Sequence, residues 1–177
     1  MTQRMSVREI RWLGDPVLRK KCRAVEEIDA EVLELISDLQ DTMYAAEGVG
    51  LAAPQIGVSL RIFVYDIREP EEKPGVFINP VLVESAGAVR ESEGCLSIPG
   101  LTEVVERAET VTVEGTLPDG SRTIIEAGGL LSRCLQHECD HLDGMLFFDR
   151  VSPLKRKMLL ARWRKMDNDE RLAAASG

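Results

Sequence analysis

Apolar positions within residues 29–46 recur at helical spacing, with Val32, Leu35, Ile36, Leu39 and Met43 on one stripe. Asp29 sits where an N-cap belongs, and Glu47-Gly48-Val49-Gly50 ends the run. The period then changes. Residues 61–66 and 76–83 are short, apolar and rich in β-branched side chains, which predicts strands. Residues 103–125 are rich in Val, Thr and Ile, and Pro118-Asp119-Gly120 marks a turn joining two strands. Helical spacing returns over residues 128–142, and Gly144 is placed to stop that helix. Ser152-Pro153-Leu154 supplies an N-cap and a proline at the first helical position, opening a C-terminal helix over about residues 152–166. A short polar tail follows. This order lacks alternating βαβ units and predicts an α+β fold. Its mostly antiparallel strands pack around a central helix, with one helix N-terminal and another C-terminal.

The central helix carries the chemistry. The chain has two histidines, and both lie in His137-Glu138-Cys139-Asp140-His141. Positions i and i+4 are roughly 40° apart on a helix, so the two imidazoles share a face and can grip one metal ion. Glu138 cannot easily ligate while its flanking histidines do, and is better placed as a general base. A catalytic ion needs a third protein ligand and an open position. With no third histidine, the cysteines come first. Cys139 is about 200° around the helix from His137 and reads as a core thiol. Cys134 lies a turn before the histidines and more naturally lines the pocket floor, although it stays open as a ligand. Cys95, in the glycine-flanked segment Glu93-Gly94-Cys95-Leu96-Ser97, is the favoured third donor.

Composition narrows the setting. The 177 residues suit a single domain spanning 1–177, with no repeat or long linker. The net charge of −8 argues against a general nucleic-acid binder, and no DNA partner is expected. No apolar run approaches the ~20 residues needed to cross a bilayer, so no membrane partner is expected either. The first residues lack the apolar core of a secretory signal, and Glu9 and Asp15 interrupt their arginines. Four cysteines in such a chain read as reduced thiols, and a cytoplasmic location is expected.

Three segments coincide: Gly48-Val49-Gly50-Leu51-Ala52-Ala53-Pro54-Gln55, Glu93-Gly94-Cys95-Leu96-Ser97 and Gln136-His137-Glu138-Cys139-Asp140-His141. Together they resemble the three signature motifs of the peptide deformylases, in order and in spacing. Asn79-Pro80, Asp143-Gly144 and the run from Asp149 to Lys155 extend the resemblance over nearly the whole chain. The resemblance implies that Cys95, His137 and His141 bind the metal and that Glu138 is the acid/base. It implies that Gln55 and the backbone N–H of Leu96 stabilise the oxyanion. Gly48 and Gly50 would lie against the substrate peptide as a neighbouring strand, with Val49, Leu130 and Cys134 around its methionine side chain. The implied reaction is hydrolysis of the formyl group from the N-terminal formyl-methionine of newly synthesised polypeptides, releasing formate. Fe²⁺ is the implied native ion, while the donor set also suits Zn²⁺, Ni²⁺ or Co²⁺. Arg133 lies one turn before His137, where its stem can pack along the pocket wall. Where some members carry an arginine after the cysteine motif, Thr102 stands near that point.

Residues 150–165 hold seven basic side chains and no acidic one, a local reversal of charge in an acidic chain. A ribosome-docking helix is therefore expected, with cations against rRNA phosphates; a solvated face on a helix packed through Leu154, Met158, Leu159 and Trp163 is the alternative. Two rival functions remain. An HExxH metallopeptidase needs a downstream His or Glu ligand, for which Glu170 is the remaining candidate. A catalytically silent binding module would have no use for Glu138 or Gln55.

Overall fold

The structure, a computed structural model, describes residues 6–176. Asp29 caps α1 (Ala30–Ala45), its carboxylate accepting from the Val32 N–H at 2.9 Å. Next come β1 (Gly50–Ala52), β2 (Ile62–Tyr65) and β3 (Gly75–Ala86), then a hairpin of β4 (Val89–Gly94) and β5 (Thr102–Arg107). The chain continues through β6 (Thr110–Thr116) and β7 (Arg122–Ala127) into α2 (Gly129–Leu142), α3 (Pro153–Lys165) and α4 (Asn168–Ser176). Every strand pair is antiparallel: one sheet runs β1-β2-β3-β6-β7 and the β4–β5 hairpin stands apart.

The sheet lies between two helices. Val32, Leu35, Leu39 and Met43 of α1 pack on one face with Ile62 and Val64. Phe63, Tyr65 and Phe77 turn to the other face, against Leu131 and Leu135 of α2. Because β2 is covered on both sides, all four of its residues are buried, which explains its unbroken apolar run. A third cluster, with Ile98, Leu101, Phe147, Phe148, Leu159 and Trp163, ties the hairpin to α3. The α+β layout around a central helix with both histidines is as expected from the sequence.

Three features differ from expectation. The turn at residues 118–120 joins β6 to β7 as expected, but residues 103–125 also take in most of β5, which leaves the main sheet to pair with β4. The strands β1 and β4 were not expected: β1 has three residues beginning at a glycine, and β4 reads Val-Arg-Glu-Ser-Glu-Gly without an apolar alternation. The polar tail is a helix. α4 has no buried residue, and it begins with a reciprocal cap in which Asp167 N–H donates to Glu170 and Glu170 N–H to Asp167. In α3, Leu159 and Trp163 are buried as expected, but Leu154 and Met158 are exposed.

Candidate metal centre and substrate cleft

α2 positions the two histidines on its face toward β4 and the loop that follows it. Among the described residues, Cys95, His137 and His141 have their donor atoms within 4.8 Å of one another. The two Nε2 atoms are 3.2 Å apart, and Cys95 Sγ is 3.4 Å from His141 Nε2. A tetrahedral ion with N donors at about 2.0–2.1 Å and an S donor at about 2.3 Å spaces them by about 3.3 Å and about 3.6 Å. The donor set therefore fits one such ion. Cys134 lies outside this cluster, its thiol pointing to Val49 O at 3.6 Å. Cys139 packs on the core, where burial pushes its thiol up to about 12. Glu170, the metallopeptidase candidate, is occupied in the α4 cap.

Burial opposes charge on both rings, yet their pKa values move apart. Cys95 and Glu93 beside His137 outweigh burial and raise it well above the usual range. Burial and the His137 charge hold His141 well below it.

With the exception of the buried His141, every sequence-predicted site residue lines one cleft of about 1160 Å³. β1 is an edge strand of the sheet, and Gly50 at its start lines this cleft together with Gly48 and Val49. Glycine is required there by close approach: a Cβ on Gly50 would sit 2.6 Å from Glu138 Oε1, and one on Gly48 2.6 Å from Leu96 Cδ1. Glu138 itself is buried, and its Oε2 has no hydrogen-bond partner. Burial raises its carboxyl to about 7 against the pull of His137.

The Gln55 amide is fixed in orientation. Its Oε1 accepts from Ala52 N–H at 2.9 Å, which turns Nε2 toward Ser97 Oγ at 3.1 Å and Cys95 Sγ at 3.6 Å. The Leu96 N–H donates to no backbone acceptor among the described residues. Leu130, Arg133 and Cys134 line the wall beside His137, and Arg133 makes no ion pair among the described residues.

Sequence reasoning missed what holds His137. Its Nδ1 faces Glu93 Oε2 at 3.2 Å, and Glu93 accepts both guanidinium bonds of Arg107, at 2.7 and 2.8 Å. Arg107 also reaches Asp140 at 2.6 Å, and Arg150 grips the same carboxylate at 2.6 and 2.7 Å. Burial alone would raise Glu93; Arg107 and His137 together bring it down to about 2. Such a carboxylate fixes the tautomer and direction of a metal-binding ring. The available signal was two acids, Glu93 and Asp140, beside the ligands and in need of cations.

The chain is similar to known proteins over most of its length. The sequence pattern described as "Polypeptide deformylase" matches residues 7–157, which leaves the second half of α3 and all of α4 outside the match. A peptide deformylase of Agrobacterium fabrum is 48% identical over 164 residues, 91% of this chain and 96% of that protein. The crystal structure of a peptide deformylase from Legionella pneumophila is 48% identical and superposes with a TM-score of 0.86, over 95% of this chain and 98% of that one. A structure of the Ehrlichia chaffeensis peptide deformylase in complex with actinonin is 37% identical, with a TM-score of 0.87 over 93% and 99% of the two chains.

Proposed function

The chain belongs to the polypeptide deformylase family and is a metal-dependent hydrolase that removes N-terminal formyl groups; on that premise we propose that Cys95, His137 and His141 hold the ion and Glu138 is the acid/base. The native ion in this reading is Fe²⁺, with Zn²⁺, Ni²⁺ and Co²⁺ as alternatives for a thiolate and two imidazoles. When bound, the ion supplies Lewis-acid polarisation and a nucleophilic water near neutral pH. Glu138 takes the proton of the attacking water and returns it to the departing nitrogen, so that the C–N bond breaks and formate and a free amine result. Gln55 Nε2 and the Leu96 N–H meet the developing oxyanion, where one such donor typically contributes about 2.7–4 kcal/mol. Gly48 and Gly50 align the formyl-methionyl peptide as an added strand beside β1, with Val49, Leu130 and Cys134 around the methionine side chain.

The observation that carries this reading is the convergence of the donor cluster, the unpartnered Glu138 Oε2 and the fixed Gln55 amide on one cleft. The test is turnover of a formyl-Met peptide by protein loaded anaerobically with Fe²⁺ or Ni²⁺. Cys95→Ala should release the metal and Cys134→Ala should keep it. The reverse result would overturn the ligand assignment.

The reading extends to the ribosome as partner and the cytoplasm as location. Among the described residues no helix is long and apolar enough to cross a membrane. Arg156, Lys157, Arg162, Arg164 and Lys165 are exposed on α3, whereas Arg150 is committed to Asp140. Because Leu159 and Trp163 are buried, charge reversal tests docking more cleanly than deletion of the helix. The Arg162→Glu/Lys165→Glu protein should bind ribosomes more weakly and with a shallower salt dependence. Unchanged binding would remove α3 from the interface.

A further inference from the structure

α4 walls the cleft that holds the donor cluster, and the chemistry just described makes no use of it. The cleft, at about 1160 Å³, exceeds the roughly 300–1,000 Å³ of ordinary small-molecule sites. A formyl-methionine with its pocket accounts for only part of that space. Its lining includes Leu101 and Thr102 and, from α4, Asn168, Leu172, Ala174 and Ala175. Asn168, Leu172 and Ala175 are spaced i, i+4 and i+7, one stripe of a helix, with Ala174 beside it.

The adjoining stripe anchors α4 to the body of the protein. The Arg171 guanidinium lies 3.9 Å from the centre of the Trp163 ring and donates to Trp163 O at 2.6 Å. Ala174 packs on Gly100, where a Cβ would come within 3.0 Å of the alanine's own. The Asp167–Glu170 cap fixes the first turn. Leu172 is 49% exposed, so a well-anchored helix presents an apolar side chain to a peptide cleft without covering it. The same cleft is lined by Trp12, whose ring meets Trp163 edge-on at 6.2 Å.

We propose that α4 is a specificity wall for the downstream part of the nascent peptide, with Leu172 contacting an apolar substrate side chain beyond the second residue. The inference rests on the deformylase reading of the site, since it takes the substrate to be a peptide entering past Gly48–Gly50. The occupant follows from continuity: Leu172 lines the same cleft as Cys95, His137 and Glu138. A chain emerging from the methionine pocket has a hydrophobic contact waiting for it.

The test compares formyl-Met-Ala with a formylated hexapeptide carrying leucine at its third to fifth positions, on Ni²⁺-loaded enzyme. The hexapeptide's advantage in kcat/KM over the dipeptide should fall roughly tenfold in Leu172→Asp and persist in Leu172→Met. An equal fall on both substrates, or an unchanged ratio, would overturn the proposal. Binding gives a second readout through Trp12 and Trp163, the two tryptophans of the chain. Titration with the deformylated hexapeptide should change their fluorescence saturably, and Leu172→Asp should weaken that binding by a similar factor; no difference between the two proteins would count against α4. Saturable, Leu172-dependent hexapeptide binding without turnover of either formyl substrate would support the wall and sink the catalytic reading instead.

Discussion

His137 stands between two acids with opposite surroundings, the half-buried Glu93 and the buried Glu138. On one side Glu93 is saturated: Arg107 donates to both of its oxygens and the ring nitrogen faces it as well. On the other, Glu138 meets Gly50 across the cleft with one oxygen unpartnered. Burial raises both carboxyls, and then the neighbours decide. Glu93 is carried down to about 2 and stays charged, whereas Glu138 rises to about 7. A permanently charged acid orients; an acid near neutrality can take and give protons. Glu93, Arg107, Asp140 and Arg150 form a chain of alternating sign with no net charge, so the scaffold adds little field of its own. A frame of this kind suits a ring that must point steadily at an ion.

The sharpest way to break the comparison is at its reactive end. Glu138→Gln should lower kcat on the order of 10²–10⁴ while metal content and thermal stability hold. A variant that lost its metal would place Glu138 among the ligands. At the other end, Glu93→Gln should weaken metal affinity about 10–100-fold, read by competition with a chromogenic chelator, with a smaller effect on kcat of the fully loaded enzyme.

The same contrast has a pH signature in stability. Glu93 has a folded pKa of about 2 against an ordinary value of 4.5, so the unfolded chain binds the proton more readily. Its contribution is fully present above about pH 4.5 and drains away as pH falls toward 2. Denaturant unfolding at pH 7 and pH 3 should show a smaller acid loss in Glu93→Gln than in the parent; equal losses would mean that Glu93 is not held by charge. The mildest perturbation is Arg150→Ala. Arg150 is 41% exposed and Asp140 keeps Arg107, so a stability loss of about 1 kcal/mol and near-normal turnover are expected.

These two sides of His137 were unequally legible in the sequence. The histidine pair and Glu138 follow from helical spacing within five residues, and the fold supplied that helix intact. Cys139 as a core thiol and Cys134 as a pocket residue also follow from the angle around one helix. Gln55 and Leu96 could be named because short motifs resemble a family, though nothing local reveals that Ala52 N–H turns the Gln55 amide. The Glu93–Arg107–Asp140 chain joins three elements, with partners 14 and 33 residues apart. Arg107 lies at the end of a strand whose charged neighbours disguise it as a surface residue. α4 was hidden for another reason: its order comes from a cap and an arginine stacked on Trp163, neither of which leaves an apolar period.

The central claim is an ion held by one sulfur and two ring nitrogens, with a face left for water. X-ray absorption at the metal edge of anaerobically purified protein tests it most directly. One sulfur at about 2.3 Å, two nitrogens at about 2.0–2.1 Å and a light-atom solvent ligand are expected, with the sulfur gone in Cys95→Ala. A shell without sulfur, or one closed by four protein donors, would contradict the account.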